Sequence, residues 1–205
     1  MSASMHLMPE RRPDNLHTFG PPHQGGLFMI RNVEIKARCA NPADIHTYLI
    51  QAGAEFRGVD HQRDTYFKVP AGRLKLRQGN IENALIRYIR PDQAGPKTSE
   101  VTLCPIEQGG AMEQILDDVL GTLVVVEKTR AIYFIGNVKF HIDQVDGLGG
   151  FVEIEAIDDS GSLSTDELLD QCSRYMQAFG IESKDLLSHS YSDMILRNGN
   201  ASHPS

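Results

Sequence analysis

Residues 32–38 read Asn32-Val33-Glu34-Ile35-Lys36-Ala37-Arg38, and their alternation decides the fold. In an extended chain, successive side chains point to opposite faces, so Val33, Ile35 and Ala37 share one face. Asn32, Glu34, Lys36 and Arg38 share the other. A helix would scatter the same residues around its circumference. The run therefore predicts a strand with one apolar and one charged face.

The same period of two recurs outward from that run. It predicts further strands at about 62–68, 73–78, 84–90, 99–104, 123–133, 137–143 and 151–157. Helical spacing replaces it over 42–52, where Asn41 is a candidate cap and Pro42 suits the first turn. It does so again over 111–120 and over 165–179, where Ser164 and Glu167 form a capping-box pattern. A shorter helix is expected near 190–197. The apolar stripes of these helices are expected to be core. Many strands, hairpin-scale connections and few helices predict a mainly β, α+β domain, an antiparallel sheet or barrel with peripheral helices. Residues 30–197 are its expected extent, with a flexible leader at 1–29 and a frayed tail at 198–205.

With 205 residues, the chain is long enough for one domain with a real core. A formal net charge of -7 argues against a protein that coats nucleic acid. Cys39, Cys104 and Cys172 are odd in number and fit no disulfide or zinc-ligand spacing, which suits a reducing cytoplasm. No apolar stretch approaches the roughly 20 residues of a membrane-spanning helix, and no signal-peptide pattern is seen. Neither a nucleic-acid nor a membrane partner is expected.

The informative observation is the composition of the charged strand faces. Lys75 and Arg77 share one face, as do Lys128 and Arg130, His141 and Asp143, and Glu153 and Glu155. An ordinary solvent-facing sheet also collects charges. Here, however, one sign dominates several of the strands, basic at 75/77 and 128/130 and acidic at 153/155. If the sheet closes with this face inward, like charges collide where water is scarce, at several kcal/mol each unless they are neutralised. A bound ligand would do so. Basic residues from several strands suit the oxygens of a polyphosphate. Clustered carboxylates suit Mg²⁺ or Mn²⁺, which bridge carboxylate and phosphate.

At this point the chain resembles the CYTH superfamily, the triphosphate tunnel metalloenzymes, in its class IV adenylyl cyclase-like and thiamine triphosphatase-like branch. The resemblance covers most of 30–197 and is carried by NVEIKAR at 32–38, RDTYF at 63–67, RLKLR at 73–77, LIRYIRPD at 85–92, EKTRAIY at 127–133 and HIDQVDGLGGFVEIE at 141–155. It implies an eight-stranded antiparallel tunnel acting on a small triphosphate such as ATP, thiamine triphosphate or tripolyphosphate, with Mg²⁺ or Mn²⁺. By motif position it implies Lys36, Lys75, Arg77, Arg87, Lys128 and Arg130 as triphosphate ligands, with Lys36 and Arg77 catalytic. It implies Glu34, Asp143, Glu153 and Glu155 as metal ligands. Arg38, Arg90, Lys97 and Glu100 occupy charged positions near these motifs.

One departure matters. The family opens Glu-x-Glu-x-Lys, whereas this chain has Asn32-x-Glu34-x-Lys36. An amide oxygen still ligates but carries no charge, so a non-catalytic polyphosphate-binding module stands beside cyclase and triphosphatase as a reading. His61 and His141 are candidate acid–base residues, though a lone strand histidine is more often structural. Tyr66, Tyr133 and Tyr191 read as packing residues with a polar tip. Exposed helices leave room for a homodimer.

Overall fold

The computed structural model describes residues 28–89, 95, 97–107, 109–158 and 160–201. The expected leader up to residue 27, Arg90, and the tail from residue 202 lie outside them. The described chain runs β1 (Phe28–Arg38), α1 (Pro42–Gln51), β2 (Glu55–Phe67), β3 (Arg73–Gln78), β4 (Ala84–Ile89) and β5 (Lys97–Pro105). It continues through α2 (Gly109–Leu120), β6 (Thr122–Ile135), β7 (Val138–Val145), β8 (Gly149–Asp158), α3 (Thr165–Ala178) and α4 (Tyr191–Ala201).

The strands close into an antiparallel barrel in the order β1-β5-β4-β3-β2-β6-β7-β8. The closing strand is β1, which pairs with β5 along one edge and β8 along the other. Hairpins join β2 to β3, β3 to β4, β6 to β7 and β7 to β8, so most neighbours in space are neighbours in sequence. The turn at 146–148 closes the β7–β8 hairpin as expected, with Gly147 at φ 73°, a conformation that favours glycine.

Strand β2 begins seven residues before its expected start. The register shifts between Phe56 and Gly58, where Gly58 adopts φ 125°. A bulge of this kind inverts the inside–outside parity of the residues before it. Beyond the bulge the side chains alternate from Val59, but residues 60–64 are polar on both faces, so no apolar stripe marks this part of the strand.

The apolar core lies outside the barrel. Val33, Ile35 and Ala37 of β1, Ala131 and Tyr133 of β6, Phe140 and Ile142 of β7, and Val152, Ile154 and Ala156 of β8 are buried on the outer face. Helices α1 and α3 cover them with Ile45, Leu49, Leu168 and Cys172. Burial of this set is the main cohesive term, at about 25 cal/mol per Å² of apolar surface. The Ser164–Glu167 capping box forms at the start of α3. Asn41 precedes α1, but its side chain makes no capping hydrogen bond.

The apolar stripe of α2 departs from expectation. Ile115 is 59% exposed and Val119 74%, and α2 contains no buried residue. Its periodicity is that of a core helix, but no described layer covers that face. Among the described residues, no helix is long and apolar enough to cross a membrane.

Candidate functional site

Directly opposed residues of an antiparallel ladder share a face, so the strand registers identify the inner wall. Asp64 lies opposite Arg77, Lys75 opposite Ile86, Arg130 opposite both Asp60 and Asp143, and Gln62 opposite Lys128. His141 and Lys36 both lie opposite Glu153, and Glu155 lies opposite both Lys139 and Glu34. The barrel thus turns its charged face inward. Lys36, Arg77, Lys128, Arg130, Lys139, His141, Asp143 and Glu153 are all buried there, and Lys75, Glu34 and Glu155 partly so.

Three clusters hold these charges. In the first, Asp64 accepts from Arg77 Nε at 2.8 Å and Nη2 at 3.0 Å, from Lys128 at 2.7 Å and from Lys75 at 3.0 Å. Burial alone would raise its carboxyl, but Arg77, Lys128 and Lys75 outweigh burial and hold it well below the usual range. Burial pushes the Lys128 ammonium down to about 7, with help from Arg77, Arg130 and Lys75. The same cause, followed by Arg77, brings Lys75 to about 8.

The second cluster centres on Arg130. Its guanidinium forks onto Asp143 at 2.7 and 2.6 Å and reaches Glu153 at 2.8 Å. Glu153 also pairs with Lys36 and accepts from His141 Nδ1 at 3.0 Å. Tyr191 of α4 donates to Asp143 at 2.8 Å, and its ring lies 3.6 Å from the Lys36 ammonium.

The third cluster is Glu82, in the β3–β4 connection. It takes Arg77 at 2.8 Å, Lys139 and Gln62. Its backbone is anchored by Asp60, which accepts from the Ile81 and Glu82 amides.

Two expectations are corrected here. First, the basic residues do not wait for a ligand to neutralise them, because Asp64 and Glu82 already do. Second, Arg87 does not join the cradle. It lies opposite Leu74 and Thr102 on the outer face and is exposed, because β4 turns Ala84, Ile86 and Tyr88 inward. The inner wall on that side is apolar, continued by Val101 and Leu103 of β5. It merges with Tyr66, Val126, Val145 and Phe151, against which α4 packs Tyr191, Met194 and Ile195. One end of the interior is filled in this way.

Lys36, Lys75, Arg77, Lys128 and Arg130 do converge on the interior, with Lys139 as an unforeseen sixth. The four acidic residues implied as metal ligands separate into two pairs. Asp143 and Glu153 are committed to Arg130, whereas Glu34 and Glu155 face each other across β1 and β8. Burial raises the Glu155 carboxyl and Glu34 adds to it, against Lys139. Asn32 donates through Nδ2 to Glu155, while its own Oδ1 is buried with no donor in reach among the described residues. Among the described residues, no group of three or more His, Cys, Asp or Glu side chains is arranged to hold a metal. The fit is therefore to two carboxylates and an amide oxygen, an all-oxygen set suited to a hard divalent cation that completes its shell with phosphate and water.

Of the remaining charged positions, Arg38 is exposed at the end of β1, and the Cα of Lys97 lies opposite Glu34 while that of Glu100 lies opposite Arg31. His61 is exposed on the outer face. Asp64 and Lys139 were legible as inward positions, since each continues an alternation already identified. Glu82 sits in a loop with no periodicity and left no signal.

Comparison with known proteins agrees with this geometry. The family model described as the CYTH domain matches residues 31–191. Among solved structures, the PH1012 protein from Pyrococcus horikoshii OT3 is 25% identical at a TM-score of 0.65, over 79% of this chain and 98% of its own. A candidate adenylate cyclase from Vibrio parahaemolyticus is 20% identical at 0.65, over 80% and 97%. A candidate adenylyl cyclase from Hippeastrum, with a dominant triphosphatase activity, is 14% identical at 0.56, over 83% and 96%. No curated protein matches the chain.

Proposed function

The chain belongs to the CYTH domain family, whose members typically act on triphosphates, and on that premise we propose that it is a divalent-metal-dependent enzyme of the class IV adenylyl cyclase type, converting ATP to cyclic AMP and pyrophosphate. The observation that carries this reading is the ring of interior cations, Lys36, Lys75, Arg77, Lys128, Arg130 and Lys139, beside the Glu34–Glu155 pair.

Mechanistically, the chain's own residues position and neutralise. Lys36, Lys75, Arg77, Lys128 and Arg130 take the phosphate oxygens and stabilise the charge that develops on them. Lys36 and Arg77, one on each side of the barrel, fix the phosphorus undergoing attack. Glu34 and Glu155, with the Asn32 amide oxygen, would hold Mg²⁺ or Mn²⁺, which supplies Lewis-acid charge at the phosphate oxygens when bound. Asp143 and Glu153 orient Arg130 and Lys36 for their task.

The same cradle would serve hydrolysis if water rather than the ribose hydroxyl were aligned, and the products decide between them. ³¹P NMR after incubation with ATP, tripolyphosphate and thiamine triphosphate under Mg²⁺ and then Mn²⁺ is the test. Pyrophosphate with cyclic AMP from ATP is expected. Orthophosphate would make the protein a triphosphatase, and binding without turnover would make it a polyphosphate-binding module.

A further inference from the structure

His141 is buried on the inner wall with one ring nitrogen unpartnered among the described residues. It is 3% exposed, and its Nδ1 lies 3.0 Å from Glu153 Oε2. Glu153 takes Lys36 and Arg130 as ion-pair partners, and a carboxylate paired in this way can only accept. The bond therefore fixes the tautomer: Nδ1 carries the proton and Nε2 presents a lone pair. That nitrogen is buried, and no donor among the described residues reaches it. A buried acceptor without a donor is costly, and the cost is explained if a bound group supplies the donor.

The surroundings narrow what that group is. Glu153 Oε2 accepts from both His141 Nδ1 and Arg130 Nη2, so a single carboxylate oxygen ties the imidazole to the phosphate cradle. Arg130 and Lys139 are cations close enough to act on the ring. Two cations at hand disfavour a divalent metal on Nε2. They favour a neutral O–H group lying against an anion. The nearby carboxylates of Asp143, Glu153 and Glu82 are occupied by guanidinium and ammonium donors. With the amide oxygens of Asn32 and Gln62, Nε2 is one of the buried inner-wall acceptors without a donor among the described residues, and it is the one tied to Arg130 through Glu153.

We propose that His141 is a catalytic residue whose Nε2 accepts the hydrogen bond of the attacking hydroxyl or water and holds that oxygen in line with the phosphorus. The inference rests on the reading of the chain as a triphosphate-acting enzyme and adds to it the group that aligns the nucleophile. His141 makes no contact with the phosphate chain in this scheme, so its loss separates rate from affinity.

The test compares the full-length protein with His141→Gln and His141→Leu. Calorimetry gives the affinity for tripolyphosphate with Mg²⁺ and for Mn²⁺ alone, and rapid quench gives the single-turnover rate with whichever triphosphate the protein consumes. Glutamine keeps an amide donor for Glu153 and a weak acceptor, so it guards against a leucine variant that fails to fold. The expected result is a rate lower by about 10²-fold or more in His141→Leu, an intermediate loss in His141→Gln, and affinities within twofold of the parent. A rate within threefold of the parent in both variants overturns the proposal, as does an affinity for tripolyphosphate that falls in step with the rate. Loss of Mn²⁺ affinity overturns it in favour of a metal-ligand role. A parent that binds tripolyphosphate but turns nothing over also overturns it, whereas a parent that fails to bind tripolyphosphate at all refutes the proposed function itself.

Discussion

Asp64 and Arg77 face each other across the β2–β3 ladder and are joined twice, Nε to Oδ1 at 2.8 Å and Nη2 to Oδ2 at 3.0 Å. This is the forked geometry that a guanidinium also offers to a phosphate. The carboxylate then takes Lys75 and Lys128 as well. Asp64 thus sits among three cations as an incoming phosphoryl group would.

Asp64→Asn removes that counter-charge and leaves three inward cations under-neutralised. A fold less stable by about 3 kcal/mol is expected, in the range for breaking a buried ion pair. Saturating tripolyphosphate should restore most of the loss, because the anion takes the place of the carboxylate. Denaturant melts of parent and variant with and without tripolyphosphate measure both; an equal deficit in the two conditions would contradict the mimicry.

Acid should act through the same carboxylates. Asp64, Glu82 and Glu153 have folded values depressed below the unfolded value of about 4. Their contribution to stability is therefore complete above about pH 4 and lost progressively as the pH falls further. Circular dichroism against pH should show a steep loss in that window for the parent and a shallower one for Asp64→Asn.

Alkali should act on ligand binding. With Lys128 at about 7 and Lys75 at about 8, the free tunnel sheds protons that a bound phosphate chain would retain. Tripolyphosphate should accordingly bind with proton uptake near pH 8 and weaken as the pH rises from 7 to 9. Over that interval the ligand-free fold should gain stability, because the unfolded chain still holds protons that the native one has released. Calorimetry in buffers of different ionisation enthalpy counts the protons; no uptake at pH 8 would place the phosphate elsewhere.

Arg87 and Arg77 lie fewer than a dozen residues apart in strongly basic segments, yet they face opposite sides of the wall. Arg87→Ala should leave tripolyphosphate affinity within twofold. Arg77→Ala and Lys36→Ala should each weaken it by about tenfold or more, the equivalent of one charge-assisted hydrogen bond. Equilibrium titration distinguishes them, and a large effect at Arg87 would refute the register-based assignment.

Asn32→Glu adds a carboxylate beside Glu155 and Glu34. The like charges should lower stability without metal and tighten Mn²⁺ binding by about tenfold, as measured by calorimetry. Unchanged Mn²⁺ affinity would remove Asn32 from the metal pole.

These contrasts show how far the sequence could be read. Strands such as Val138–Val145 were visible because one face must be apolar to pack under α3 and the other charged to line the interior. The first half of β2 was not, because its apolar Phe56 and Val59 are exposed on either side of the Gly58 bulge and the residues that follow are polar on both faces. Lys36, Arg77 and Arg130 could be placed from motif and alternation together. Arg87 was misplaced because β4 reverses the rule of β1, β7 and β8 and turns its apolar residues Ala84, Ile86 and Tyr88, not its charged one, inward. Asn41 had the chemistry of a cap, but residue type does not dictate the rotamer that makes the bond. The stripe on α2 has core periodicity, and pattern alone cannot say whether anything lies against it. Glu82 was beyond reach, since nothing local predicts which way a loop carboxylate turns.

On the side covered by α1 and α3 the barrel's cohesion sits outside, while the charges within are balanced in small groups, two of them linked through Arg77. In most domains a mutation that alters the active site also disturbs the core, because the two share side chains. Here the strand backbone separates them. A new specificity can arise by exchanging one inward pair for another of equal net charge, with the shell untouched. This is a build in which catalytic novelty and foldability draw on different residues, and in which lineages can diverge far in chemistry while keeping one architecture.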